Sequence, residues 1–250
     1  MKWQFEHRQQ GIFVAEGEKV VRRLLESKLP VVSALLLERW LTELEPLLAA
    51  RPERIRVYVA ERPLLETLIG FAIYQGVLAV GLAPQSAGLD EMLAPAANPL
   101  LVAVDGISGA ENMGGLIRNC VAFGADGLLS GETSCSPYLR RSVRSSMGTV
   151  FKLPVLETKS LLATLGELKA RGIRCIAAHP HTEKRGISAA NFRGPTCLIL
   201  GSEGTGLTPQ LLDICDETVV IPMQREVDSL NVGTAGAIFL YEAARQRGLI

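Results

Sequence analysis

The sequence predicts an α/β protein: a small N-terminal α/β layer domain followed by a parallel sheet covered by helices on both faces. Short apolar runs such as Leu100-Leu101-Val102-Ala103-Val104 recur between segments of helical spacing, the pattern of strands buried on both sides. The 250 residues are 48% apolar and 21% charged, a globular profile with enough chain for one or two cores. Residues 84–99, rich in Pro, Gly, Ala and Ser, form a linker between two patterned stretches. The expected organisation is therefore a domain at 1–83, a linker at 84–99 and a second domain at 100–250.

In chain order, Phe13 to Lys28 reads as helical, with Val20, Val21, Leu24 and Leu25 on one stripe. Val31 to Leu37 is a short apolar run, Trp40 to Ala50 is helical, and Ile55 to Val59 alternates as a strand does. Leu64 to Ile69 is again helical, Gly76 to Leu82 is extended, and Asp90 to Leu93 is a short helix within the linker. Beyond it come the Leu100 to Val104 run, a helix from Asn112 to Phe123, and apolar runs at Gly127 to Leu129, Ile173 to Ala177, Cys197 to Leu200 and Val219 to Ile221. A last helix spans Val232 to Gln246, followed by Gly248 as a stop signal.

Charge and cysteine usage exclude several function classes. Lys plus Arg and Asp plus Glu both number 26, and residues 1–94 hold 11 basic against 12 acidic side chains. Neither half is a basic arm, so binding to a polyanion needs a local patch. Arg140, Arg141 and Arg144, with Lys152 beyond, form one such cluster, which a solvated helix face would equally explain. The five cysteines are dispersed without a CxxC pair, and only His7, His179 and His181 could assist them, so neither a metal site nor a disulfide framework is expected. The stretch Met1 to Arg8 has no apolar leader core, and no run reaches the roughly 18 apolar residues of a membrane span. A reduced, cytoplasmic protein without membrane or metal follows.

Three segments carry the chemistry. The first is Asp105-Gly106-Ile107-Ser108-Gly109-Ala110-Glu111-Asn112-Met113-Gly114-Gly115-Leu116-Ile117-Arg118-Asn119, a strand end, a loop and a helix start that Asn112 could cap. At about 100° per residue, Leu116, Ile117, Cys120 and Val121 form the apolar stripe and Arg118 points away from it. The second is Leu198-Ile199-Leu200-Gly201-Ser202-Glu203-Gly204-Thr205-Gly206-Leu207, an apolar strand entering a glycine-rich loop. Ligands of open α/β sheets bind there, outside the carboxyl ends of strands. The third is Ile221-Pro222-Met223 with Ser229-Leu230-Asn231-Val232-Gly233-Thr234-Ala235-Gly236-Ala237. Ser229 or Asn231 can cap the helix, and the small residues admit a close neighbour. Singly, a surface arginine, a tight turn and a capped helix would account for them.

In this order and spacing the three segments closely resemble the motifs of the SpoU, or TrmH-like, branch of the SPOUT RNA methyltransferases, over about residues 100–247. Ser136-Pro137-Tyr138 and Arg144-Ser145-Ser146-Met147-Gly148 are similar to that family's segment after the second strand. More loosely, Phe13 to Val20 and Gly76 to Val80 resemble its substrate-binding domain, a fold similar to a ribosomal protein that binds kinked RNA. The resemblance implies a trefoil knot, a homodimer, S-adenosylmethionine as methyl donor and a ribose 2'-hydroxyl of structured ribosomal or transfer RNA as acceptor. Carried over by motif, Leu200, Gly201, Ile221, Met223 and Leu230 would line the cofactor site, while Asn112, Arg118, Glu203, Ser229 and Asn231 would surround the transfer centre. Arg140, Arg141 and Arg144 would then be an RNA-contacting strip.

A guanidinium keeps its proton in proteins, so the role expected of Arg118 is to stabilise a developing alkoxide or grip a phosphate rather than to act as a base. Two positions depart from the family pattern. Gly233-Thr234 stand where Ser-Val is usual, and Asn119 where Thr or Ser is common. An RNA-binding assembly factor without turnover would predict damaged motifs, whereas these are intact. A dehydrogenase or class I methyltransferase would need a G-x-G loop after the first strand, which Val104 to Gly109 does not supply.

Overall fold

The computed structural model describes residues 10–70, 75–86, 88–180, 185–224 and 227–250. The N-terminal octapeptide, with His7, and also His181 lie outside them. The chain divides into two compact units, one of residues 1–85 with 138–152 and the other of 86–137 with 153–250.

In the first unit the sheet order is β1 (Ile12–Glu16), β4 (Val77–Leu82), β2 (Val31–Leu36), β3 (Arg56–Val59), with only β2 and β3 parallel. Helices α1 (Glu18–Glu26), α2 (Glu38–Ala49) and α3 (Arg62–Ile69) alternate with these strands. The expected helix over Phe13 to Lys28 is corrected here. Its first residues are β1, which pairs with β4 in the register Ala15↔Ala79, and Gly17 at φ 95° breaks the chain before α1 begins. The stripe Val20, Val21, Leu24, Leu25 is buried as the spacing predicted. Arg51 clasps the turn after α1, donating from Nη1 to the carbonyls of Leu25 (3.0 Å) and Ser27 and from Nη2 to that of Leu29 (2.7 Å).

The expected uninterrupted domain over 100–250 is also revised, because Tyr138–Lys152 clusters with the first unit. Helix α6 (Arg140–Ser145) runs beside β1, and Phe13 packs between Tyr138 and Phe151 with ring centroids 5.8 and 5.3 Å away. The carboxylate of Glu16, only 3% exposed, accepts from Arg144 Nη1 at 3.2 Å and lies 3.7 Å from Arg140 Nε. Arg23 Nη1 donates to the Met147 carbonyl at 2.6 Å. Two of the three arginines expected to meet RNA thus share a buried carboxylate, an arrangement that sequence spacing of about 125 residues conceals.

The second unit contains a six-stranded, wholly parallel sheet in the order β10 (Glu217–Val219), β8 (Arg174–Ala178), β9 (Thr196–Leu200), β5 (Leu100–Val104), β6 (Gly127–Ser130), β7 (Val155–Glu157). Every residue of β5, β6 and β9 is buried, which explains their unbroken apolar runs. The expected Val219 to Ile221 strand begins two residues earlier, and β7 had too short a run to be read. Helices α4 (Leu89–Leu93), α5 (Ala110–Ala122), α7 (Leu161–Ala170), α8 (Pro209–Ile214) and α9 (Val232–Gln246) belong to this unit, and α5 packs on α9. Ring contact of Phe192 with Phe239 at 6.3 Å secures α9 from the side. No described helix is long and apolar enough to cross a membrane.

All five cysteines are free thiols, three of them buried. Burial pushes the Cys120 thiol up to about 12 and the Cys175 thiol up to about 11, so these groups stay protonated and serve as packing.

Candidate active site

In a parallel sheet all strands end on one edge, and the chain leaving β5, β9 and β10 there carries the three motif segments. A cleft of about 330 Å3 opens at the ends of β8, β9 and β10, bounded by the loop 201–206 and by the chain entering α9. Leu200, Gly201, Ile221, Met223 and Leu230, the five residues expected around a cofactor, all line it. The loop turns tightly: Ser202 N donates to Gly206 O at 3.3 Å, and Gly206 N returns a bond to Ser202 O at 3.0 Å. A Cβ on Gly201 would lie 2.4 Å from the Gly206 carbonyl carbon and 2.5 Å from the Leu207 nitrogen, both backbone atoms that cannot yield. Glycine there is a requirement of the turn that presents backbone to the cleft.

Beside the cleft, one carboxylate oxygen gathers three segments. Glu203 Oε1 accepts from Asn112 Nδ2 at 2.9 Å, from Asn231 Nδ2 at 2.5 Å and from the Val232 backbone N–H at 3.4 Å. Asn231 Nδ2 also donates to Asn112 Oδ1 at 3.0 Å. Its own Oδ1 caps α9, accepting from Gly233 N at 3.0 Å and Thr234 N at 3.4 Å. Of the two residues expected to cap this helix, Asn231 does so. The cap expected from Asn112 is corrected: α5 starts at Ala110 with Gly109 at the cap position, leaving the Asn112 amide to Glu203 and Asn231.

Glu203 and Ser229 also line the cleft. Arg118 is exposed on α5, six residues beyond Asn112, and donates to no described residue. It neither lines the cleft nor joins the Glu203 network. Asn119, one of the departures from the family pattern, donates to the Gly233 carbonyl at 2.8 Å and so ties α5 to the start of α9. The helices approach closely because α9 carries Gly236, whose Cβ would meet Leu116 Cδ1 at 2.4 Å. Sequence reasoning missed His179 and Asp228 on the cleft wall. The strand-end rule applied to β8 would have found His179, and adjacency to Ser229 would have flagged Asp228.

Residues 99–241 match the profile of the SpoU rRNA Methylase family, and an uncharacterized tRNA/rRNA methyltransferase of Mycobacterium bovis is 33% identical over 238 residues, 94% of this chain and 81% of that protein. The chain belongs to the SpoU rRNA methylase family. A 23S rRNA (guanosine-2'-O-)-methyltransferase, RlmB of Ralstonia nicotianae, is 32% identical to this SpoU methylase over 204 residues, 81% of the chain and 82% of the relative. The fold matches the crystal structure of the SpoU methyltransferase AviRb from Streptomyces viridochromogenes in complex with AdoMet. The TM-score is 0.84 at 29% identity, covering 98% of this chain and 94% of that one.

The cleft suits the same methyl donor. It is walled by apolar side chains and by loop backbone that Gly201 keeps free of a side chain, features suited to a nucleoside and its polar groups.

Proposed function

We propose that this SpoU methylase transfers a methyl group from S-adenosylmethionine to a ribose 2'-hydroxyl of structured ribosomal or transfer RNA. The observation that carries the reading is the Glu203 carboxylate, which joins all three motif segments beside the cleft through Asn112, Asn231 and Val232. When bound, the donor supplies an activated methyl group on a sulfonium.

The chain's part is binding and orientation. Leu200, Gly201, Ile221, Met223 and Leu230 hold the donor in the cleft, and Ser229 offers a hydroxyl at its wall. Glu203 fixes the two amides, and Asn231 is further anchored by capping α9, so their free polar capacity is presented to the ribose without an ordering cost at each turnover. Arg118, an exposed cation with no partner among the described residues, is available to supply positive charge to the developing alkoxide or the adjacent phosphate. Guanidinium persistence leaves deprotonation of the hydroxyl to another acceptor.

The unit containing residues 1–85 is proposed as the RNA substrate-binding domain. Arg140, Arg141 and Arg144 belong to it, and Glu16 holds Arg140 and Arg144 side by side in a basic cluster suited to phosphate. A homodimer is supported by exposed Tyr241 on α9, Leu249 and Ile250 beside the Phe123–Tyr241 ring contact, since large apolar side chains of this kind favour a partner surface. A trefoil knot in the second unit and a cytoplasmic setting complete the proposal, the latter supported by five free thiols.

The test is methyl transfer from labelled S-adenosylmethionine into total RNA from cells lacking the protein, beside an Arg118→Ala control, with nuclease digestion of the product. A 2'-O-methylated nucleotide absent from the control is expected. A methylated base would overturn the acceptor, and RNA and donor binding without transfer would make the protein an assembly factor.

A further inference from the structure

The wall of the cleft carries a charge pattern that shape alone does not require. Its described lining residues include two carboxylates, Glu203 and Asp228, and neither lysine nor arginine. Glu203 is held in place by three neutral donors on its Oε1. Asp228 is exposed on the segment between Met223 and Ser229, with no hydrogen bond or ion pair to a described residue. A carboxylate without a partner among the described residues, placed on a ligand cleft, favours a positive guest over a neutral one of the same shape.

The methyl donor and its product, S-adenosylhomocysteine, share the adenosine and amino-acid ends and differ at sulfur, a cationic sulfonium in one and a neutral thioether in the other. We propose that Asp228 makes the cleft select the sulfonium, so that it discriminates donor from spent product. Methyl transfer breaks the S–C bond with its electron pair left on sulfur, forms the ribose O–C bond and releases the hydroxyl proton to solvent. The positive charge that Asp228 favours disappears in that step, and retention of the product weakens with it. Asp228 is thus a specificity-determining residue rather than a catalytic one. The inference rests on the methyl-donor reading of the cleft.

The test is calorimetric titration of the full chain with S-adenosylmethionine, S-adenosylhomocysteine and sinefungin, whose amine-bearing carbon replaces the sulfonium. It is run at pH 8, above the usual histidine range. Asp228→Asn should weaken S-adenosylmethionine and sinefungin by about three- to tenfold while leaving S-adenosylhomocysteine within about twofold, the scale of one exposed charge. Asp228→Glu should restore most of the discrimination, and added salt should erode it in the wild type but not in Asp228→Asn. Equal weakening of all three ligands would overturn the inference by making Asp228 a mere shaper of the loop, and unchanged affinities would overturn it by making the charge inert. Failure of the wild type to bind any of the three would overturn the methyl-donor reading itself, and this inference with it.

Discussion

Asn231 serves structure and site through different atoms of one amide. Its oxygen caps α9 and its nitrogen reaches Glu203 and Asn112, so truncation removes both functions while Glu203→Ala removes only the second. Asn231→Ala should cost about 1–2 kcal/mol, the usual worth of a lost cap, and lower Tm by about 2–6 °C for a chain of this size. Glu203→Ala should leave Tm within about 2 °C because the residue is exposed, yet reduce methyl transfer. Thermal melts and turnover on the two variants check the separation. Arg118 gives the complementary case, since it stands outside the cleft. Arg118→Lys should preserve donor affinity in calorimetry and lower turnover by about ten- to a hundredfold, because an ammonium lacks the planar fork. Turnover close to wild type would reduce Arg118 to a charge that any cation can replace.

Between elements, the decisive contact is α5 against α9. Gly236 lets the two helices close, with Leu116 filling the space its missing Cβ leaves. Gly236→Ala places a methyl 2.4 Å from Leu116 Cδ1 and 3.3 Å from Leu200 Cδ1, in a fully packed core. The expected cost is about 1–3 kcal/mol, read by denaturant titration. Because Leu200 lines the cleft, donor affinity should fall in the same variant. The far end of α9 is held differently. Arg247 donates to the carbonyls of Phe192 (2.8 Å), Asn98 (2.7 Å), Pro99 (3.2 Å) and Gly194 (2.5 Å). Partial burial holds its basicity below the ordinary arginine value, and the four carbonyls compensate the lost water.

At the scale of the whole molecule, acid stability is set by carboxylates paired with arginine. Hydrogen bonding to Arg51 first, and to the Val31 N–H besides, holds Glu53 at about 2 against an ordinary 4.5. Arg245 and Gln246 hold Glu242 at about 2 likewise. A carboxylate depressed by folding contributes its stability above the unfolded value and loses it as pH falls toward the folded one. Glu53→Gln should therefore destabilise by about 2 kcal/mol near pH 6, and the gap from wild type should close between pH 4.5 and about 2. Denaturant titrations across that range measure it, and a constant gap would show that Glu53 acts through packing alone.

Much of the architecture was written in local pattern. The apolar runs of β5, β6 and β9 follow from burial on both faces and the α1 stripe from helical period, whereas Leu200, Gly201, Ile221, Met223 and Leu230 come from the family resemblance and all line the cleft. The fold class and the three motif segments are therefore legible in the chain itself, because they depend on residues close together along it. Tertiary structure alone decided which distant side chains meet. Glu203 joins Asn112 and Asn231 across 91 and 28 positions, and Glu16 takes Arg144 across 128, drawing Tyr138–Lys152 into the first unit. No local period encodes such pairings, since they arise only when the packed sheets and helices fix the distances over which charge and hydrogen bonding act.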